Sequence, residues 1–166
     1  DHNFTDISNL LPESVGLFMN NSKVIYARLN FFKATGARIE IFCLEPSDTD
    51  PGSAMTYTQS GKWNCLIGNK KRWKGEVLEL QLENDVVLKA KLLESAENNV
   101  VQFEWNGNLT FAEILEKAGK VPLPPYLNRE AEANDYDRYQ TVYSKIQGSV
   151  AAPTAGLHFT DNVLDS

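Results

Sequence analysis

The stretch Thr154-Ala-Gly156-Leu-His158-Phe159 is the part of this chain best suited to chemistry, because it sets one imidazole between a glycine-containing turn and a helix start at Thr160-Asp161. Histidine changes protonation near neutral pH. At such a junction it can act as a general base or bind a polar ligand, and adjacent main-chain N–H groups can hold a carboxylate. The plainer alternative is a packed histidine that satisfies the loop backbone. A second constellation, Arg138-Tyr139-Gln140-Thr141-Val142-Tyr143, joins a fixed cation to two aromatic rings and an amide. These side chains can hold a nucleotide by stacking and amide hydrogen bonds, or tie a linker to the core. A third, Lys70-Lys71-Arg72-Trp73-Lys74 with Tyr57 and Trp63 upstream, offers cations for phosphates and aromatic faces for bases. Its alternative is a solvated hairpin loop. Lys89 and Lys91, on a strand placed to lie alongside, add to the RNA-binding reading of Lys70, Lys71, Arg72 and Lys74.

Other chemistries lack their patterns. Cys43, Cys65, His2 and His158 are scattered, so no metal site is expected. Neither cysteine has a neighbouring histidine or helix start to activate it as a nucleophile. Both lie in apolar, strand-like runs, which favours buried free thiols and a reduced, cytoplasmic setting. No glycine-rich dinucleotide or phosphate-loop fingerprint is present.

The 166 residues carry 16 Lys+Arg against 22 Asp+Glu, a formal charge of −6, with 42% hydrophobic residues. That is enough apolar material for one core or two small ones, and it excludes a wholly disordered chain. No run approaches the roughly 20 apolar residues of a membrane span, and no membrane association is expected. The acidic, polar start is unlike a secretory signal. Charge is unevenly distributed: residues 1–19 carry −3, residues 20–91 carry +3 and residues 92–166 carry −6. A basic middle between acidic flanks keeps phosphate binding open despite the overall sign.

The elements that must position these residues are mostly β. Short alternating runs predict strands at 23–32, 37–44, 55–58, 63–67, 75–82, 86–93 and 100–105. Leu78, Leu80 and Leu82 share one face, and Glu83-Asn84-Asp85 turns the chain into Val86, Leu88, Ala90 and Leu92. Asn98-Asn99 reads as a similar connection. Such spacing suggests a small barrel or sandwich. The period then changes: Thr110 and Glu113 form a capping-box pattern, Phe111, Ile114 and Leu115 make a helical stripe, and Gly119 is placed to end the helix. Residues 121–126 hold three prolines and should run extended. Residues 130–137 read as an acidic linker or hinge, and 146–155 as an active-site loop rather than a core strand. A chain that opens on Asp1 and ends six residues into a helix start reads as a piece of something longer.

With these segments in view, Pro122-Leu-Pro-Pro-Tyr126, Asp137-Arg-Tyr-Gln-Thr-Val-Tyr143 and Gly148-Ser-Val-Ala-Ala-Pro-Thr-Ala-Gly-Leu-His-Phe159 resemble signature stretches of the S-adenosylmethionine:tRNA ribosyltransferase-isomerases of queuosine biosynthesis. Upstream, His2-Asn-Phe4-Thr-Asp6-Ile7, Asn20-Asn-Ser-Lys-Val24 with Ala27-Arg28-Leu29, and Gly36-Ala-Arg-Ile-Glu40 are similar to family motifs in the same order. Departures fall at Ser14-Val15 (Gly-Asp in the family), at Asn21 and Lys23 within an Asn-Asp-Thr-Arg run, at Tyr26 (Pro), and at 66–70, where a proline is missing. A lysine cannot reproduce the bidentate fork of an arginine.

The resemblance implies an internal fragment: a small antiparallel β-barrel (34–109) inserted into an incomplete α/β main domain (1–33 and 137–166), with a helix and Pro-rich connection at 110–136. It implies transfer of the ribosyl part of S-adenosylmethionine onto 7-aminomethyl-7-deazaguanine at the tRNA wobble position, giving epoxyqueuosine and releasing adenine and methionine. S-adenosylmethionine is then a co-substrate, no prosthetic group is implied, and tRNA is the macromolecular partner. His158 takes the acid/base role, while Arg138, Tyr139, Gln140, Tyr143, Ser149, Thr154 and Gly156 are the substrate-binding candidates. A noncatalytic RNA-binding barrel, or a diverged inactive paralogue, is the alternative.

Overall fold

Alternation of apolar and polar side chains is what sets the architecture. The structure, a computed structural model, describes residues 1–93, 99–121, 123, 129, 132, 134–149 and 152–166. Among them seven strands form one antiparallel sheet in the order β5-β6-β7-β4-β3-β2-β8. Their ranges are β2 Arg28–Phe32, β3 Arg38–Pro46, β4 Ser60–Gly68, β5 Leu78–Gln81, β6 Val87–Leu93, β7 Val100–Trp105 and β8 Gly119–Lys120. The sheet curls until β5 lies beside β2 without a ladder between them among the described residues, so it is an open half-barrel. Closure is made by side chains: Lys33, just past β2, pairs with Glu76 and donates to the Arg72 carbonyl at 2.6 Å. The protein is mostly β, as its sequence indicates.

Inward-facing residues alternate along each strand. Leu29 and Phe31, Ile39 and Ile41, and Val101 and Phe103 are fully buried. The concave side is plugged by helix α3 (Phe111–Ala118), whose Phe111 ring lies 5.3 to 5.6 Å from those of Trp63, Phe103 and Trp105. One such ring stabilises by roughly 1.5–3 kcal/mol through burial alone. The capping box is present: Glu113 N–H donates to Thr110 Oγ1 at 3.3 Å, and Thr110 N–H donates to Glu113 Oε2 at 2.7 Å. Gly119 ends the helix, but its φ of −84° is open to any residue. Glycine is needed there because a Cβ would fall on the Tyr26 carbonyl oxygen.

Asn84 and Asp85, at φ of 56° and 57°, make the tight turn from β5 to β6. Cys43 and Cys65 are opposite one another on β3 and β4, free and buried, and burial with a mutual hydrogen bond pushes the Cys43 thiol well up.

Four expectations need correction. Residues 23–32 are not one strand: β1 (Ser22–Val24) and β2 belong to different sheets, separated by a tight bend in which Ala27 N–H donates to Ile25 O at 2.8 Å. Adjacent Val24 and Ile25 are both buried, which a single alternating strand would not allow. Residues 55–58 are not a strand either. Asp50 caps a short helix α2 (Pro51–Met55), accepting from Ser53 N–H at 3.0 Å, with Pro51 at the first turn. Residues 146–155 open with a strand, β9 (Ile146–Ser149), parallel to β1 in a two-stranded ladder. Finally, 130–137 is partly helical, since α4 (Asp135–Arg138) ends it. The connection at 94–98, with Asn98, and most of the Pro-rich run fall outside the described residues. Short helices α1 (Ile7–Leu10) and α5 (Asp161–Leu164) complete the chain, and no described helix is long and apolar enough to cross a membrane.

Candidate functional site

Both ends of the chain converge on the His158 segment. Residues Thr154–His158 form a 3-10 turn closed by Gly156 N–H donating to Pro153 O at 2.7 Å. Phe159 and the capping Thr160 then lead into α5. The opening turn Phe4–Asp6, held by Asn3 N–H donating to Asp6 Oδ2 at 2.9 Å, sets the Phe4 ring against His158 (centroids 5.3 Å) and edge-on to Phe159 (4.9 Å). Tyr143 also meets Phe159 edge-on at 6.1 Å. A Cβ on Gly156 would collide with the Tyr143 hydroxyl and come within 2.9 Å of Thr141 Cγ2, so this position admits glycine alone without displacement of its neighbours.

His158 and Thr154 are exposed at the end and start of the same turn, while Gly156 is buried under Tyr143. These four candidates are therefore brought together. Thr141, buried in the same cluster, has a hydroxyl without a hydrogen-bond partner among the described residues. Phe4 and Thr141, which the sequence reading named only as members of longer segments, are additions to its individual site candidates. Phe4 stands in a polar stretch, and its aromatic character is the only sign of a packing role.

The other candidates gather around α4 and β1. Gln140 clamps the backbone of Val24: Val24 N–H donates to Gln140 Oε1 at 2.9 Å, and Gln140 Nε2 donates to Val24 O at 2.7 Å. Both amide groups thus extend the β1 ladder. Ser149 lies in β9 opposite Val24. Arg138 is exposed at the end of α4, and Tyr139 is half-buried after it. Beneath them Asp135, buried, takes two hydrogen bonds from Arg129 at 2.6 and 2.8 Å and one from Glu132 N–H at 2.8 Å. The Arg129 bonds, followed by that of Glu132, hold its carboxyl down to about 2. Tyr136 meets Tyr26 edge-on at 4.8 Å, and burial followed by the charge of Glu116 raises the Tyr26 phenol. At Asn21 the contacts are made by main chain, its carbonyl accepting from Lys145 and Ile146 N–H, so the substitution leaves them intact.

The basic run is a separate surface. Lys70–Arg72 form a 3-10 turn after Asn69, which adopts φ 59°. Lys70, Lys71, Arg72 and Lys74 are all exposed. Lys70 Nζ donates to Asn99 Oδ1. Two of the three rings expected beside it are corrected: Trp63 and Trp73 are buried, and Trp73 Nε1 donates to Glu76 O at 2.7 Å, so neither offers a face to a base, whereas Tyr57 is exposed. Core packing claimed both indoles because they lie on the inward side of the curl. Lys89 is paired with Glu79 at 2.9 Å across β5 and β6.

A curled antiparallel half-barrel, flanked by a parallel ladder and an aromatic-lined histidine turn, defines a mostly β protein with a polar site at one flank and a basic rim on its sheet. The chain matches the family of queuosine biosynthesis proteins over residues 1–166 and belongs to it. It is 39% identical over 163 residues to a protein of Pelobacter propionicus (strain DSM 2379 / NBRC 103807 / OttBd1) named S-adenosylmethionine:tRNA ribosyltransferase-isomerase. That match covers 98% of this chain and 44% of the relative, so the chain spans less than half the relative's length.

Proposed function

We propose that the protein containing this chain transfers the ribosyl portion of S-adenosylmethionine to 7-aminomethyl-7-deazaguanine at the wobble position of tRNA, in the cytoplasm. The observation that carries this reading is the 39% identity, sustained over 98% of the chain, to a relative bearing that activity as its name. The half-barrel, which runs from β2 (Arg28–Phe32) to β8 (Gly119–Lys120), then holds the proposed inserted domain and extends past the 34–109 bounds at both ends. The parallel β1–β9 ladder, which joins the segments 1–33 and 137–166, supports their assignment to one α/β flank.

In this reading the exposed His158 imidazole removes a proton from the ribose 5′ carbon, made acidic by the neighbouring sulfonium, and a proton is returned to adenine as it leaves. Phe4 fixes the plane of the imidazole. Thr154 and the backbone of the Gly156 turn position the co-substrate, with Tyr143 forming the wall behind them. Arg138 and Tyr139 meet the adenosyl group or an RNA phosphate, and Gln140 holds β1, which pairs with the strand β9 that carries Ser149. A noncatalytic RNA-binding role is favoured by one observation alone, the exposed turn at 70–72. The two readings separate on product. Nucleoside mass analysis of precursor tRNA incubated with the full-length protein and S-adenosylmethionine should show epoxyqueuosine, and binding without any mass change would support the noncatalytic reading.

A further inference from the structure

The outer face of the sheet is divided. Over β5 to β7 its side chains alternate in charge, as in the Lys89–Glu79 pair. Over β2 to β4 it carries exposed apolar side chains as well, beside the Arg28–Glu40 ion pair. Phe32, paired in register with Arg38, is 60% exposed, and Leu66 on β4 is 57% exposed. Four residues along β2 from Phe32, the half-buried Arg28 guanidinium lies over the half-buried ring of Phe42, the residue in register with Leu66, 5.2 Å from its centroid. Exposed apolar groups sharing one face mark a surface that meets a partner.

The basic turn is fastened to the rim of this same face. Asn69 Nδ2 donates to the Arg38 carbonyl at 3.1 Å, and Lys33, next to Phe32, donates to the Arg72 carbonyl at 2.6 Å. The nearby acids are already held, Glu40 by Arg28 at 3.0 Å and Glu76 by Lys33. The net field at the rim is therefore positive.

We infer that the outer face of β2–β4 is a stacking platform for single-stranded RNA, with Phe32 and the Arg28–Phe42 pair beneath the bases and the Lys70–Arg72 turn along the phosphates. Every base presents a π face, and both phenyl rings and guanidinium planes stack on it. Charge complementarity favours RNA over an apolar protein partner, because the aromatic patch is rimmed by cations. The inference rests on the tRNA reading above and deepens it: the partner segment is the anticodon loop that carries the reacting base.

The test uses the full-length protein and unmodified tRNA bearing 7-aminomethyl-7-deazaguanine, with dissociation constants measured across a salt series. Phe32→Ala should weaken binding about fivefold or more at every salt concentration, leave the salt slope unchanged, and be rescued by Phe32→Trp. Lys71→Ala should instead reduce the slope by roughly 0.7–0.9 for its lost phosphate contact. Gln81→Ala, on the other half of the face, should match wild type. Wild-type affinity for Phe32→Ala would overturn the platform. So would protection of Phe32 from oxidative labelling before RNA is added, which would show the remainder of the protein or another protein covering this face. Should wild-type protein modify the tRNA while Phe32→Ala binds normally, the platform alone fails; should wild-type protein neither bind nor modify it, the functional reading fails with it.

Discussion

The imidazole of His158 rests against the ring of Phe4, their centroids 5.3 Å apart and their planes inclined by 36°, so the first turn of the chain braces the residue proposed for acid/base chemistry. Phe4→Leu keeps an apolar side chain but loses the flat surface. In the full-length protein it should lower kcat by about tenfold to hundredfold with little change in tRNA affinity, and Phe4→Tyr should restore most of it. Equal losses in both variants would mean that the ring does not orient His158.

Gly156 lies beneath the Tyr143 hydroxyl. Gly156→Ala should destabilise by roughly 1–3 kcal/mol in thermal unfolding, because the added methyl has no space. Combining it with Tyr143→Phe removes the colliding oxygen, so the double variant should recover part of the loss, a positive coupling in the mutant cycle. Strict additivity would contradict the packing described.

At Gly119 the obstacle is main chain rather than a side chain. Gly119→Ala places a methyl on the Tyr26 carbonyl, and no rotamer change relieves it. A loss of roughly 3 kcal/mol or more is the expected outcome in denaturant titration. By comparison, Thr110→Ala, which removes one arm of the capping box on α3, should cost about 1 kcal/mol.

Asp135 gives the fold an acid-sensitive point. Its carboxyl is held at about 2 against an ordinary 3.8, first by the Arg129 hydrogen bonds. A depressed folded pKa means that the folded chain binds fewer protons than the unfolded one. The contribution is therefore fully present above 3.8 and is lost as pH falls towards 2. The difference in melting temperature between wild type and Asp135→Asn should shrink across that window. A difference that stays constant down to pH 2 would show that the ion pair adds no stability.

Local patterns were legible in the sequence, and distant pairings were not. The β5–β6 hairpin follows from Leu78, Leu80, Leu88 and Ala90 alternating around Asn84-Asp85, and α3 follows from its capping box; both signals lie within a dozen or so residues. The five-residue helix α2 is too short to show a period, and only Asp50-Pro51 announces it. The break between β1 and β2 is hidden because both halves are apolar. β9 escapes because its partner β1 comes from the other end of the chain. The same limit applies to the site. His158 could be singled out from its type and setting, whereas Phe4 reaches it only through the fold. Trp63 and Trp73 read as available rings because composition does not tell which side of a curled sheet a residue faces.

The most direct measurement is adenine release from S-adenosylmethionine by the full-length protein, followed with and without precursor tRNA. Release should depend on tRNA in the wild type and be lost in a folded His158→Ala variant that still binds tRNA. Release that persists in His158→Ala, or that never occurs in the wild type, would contradict it.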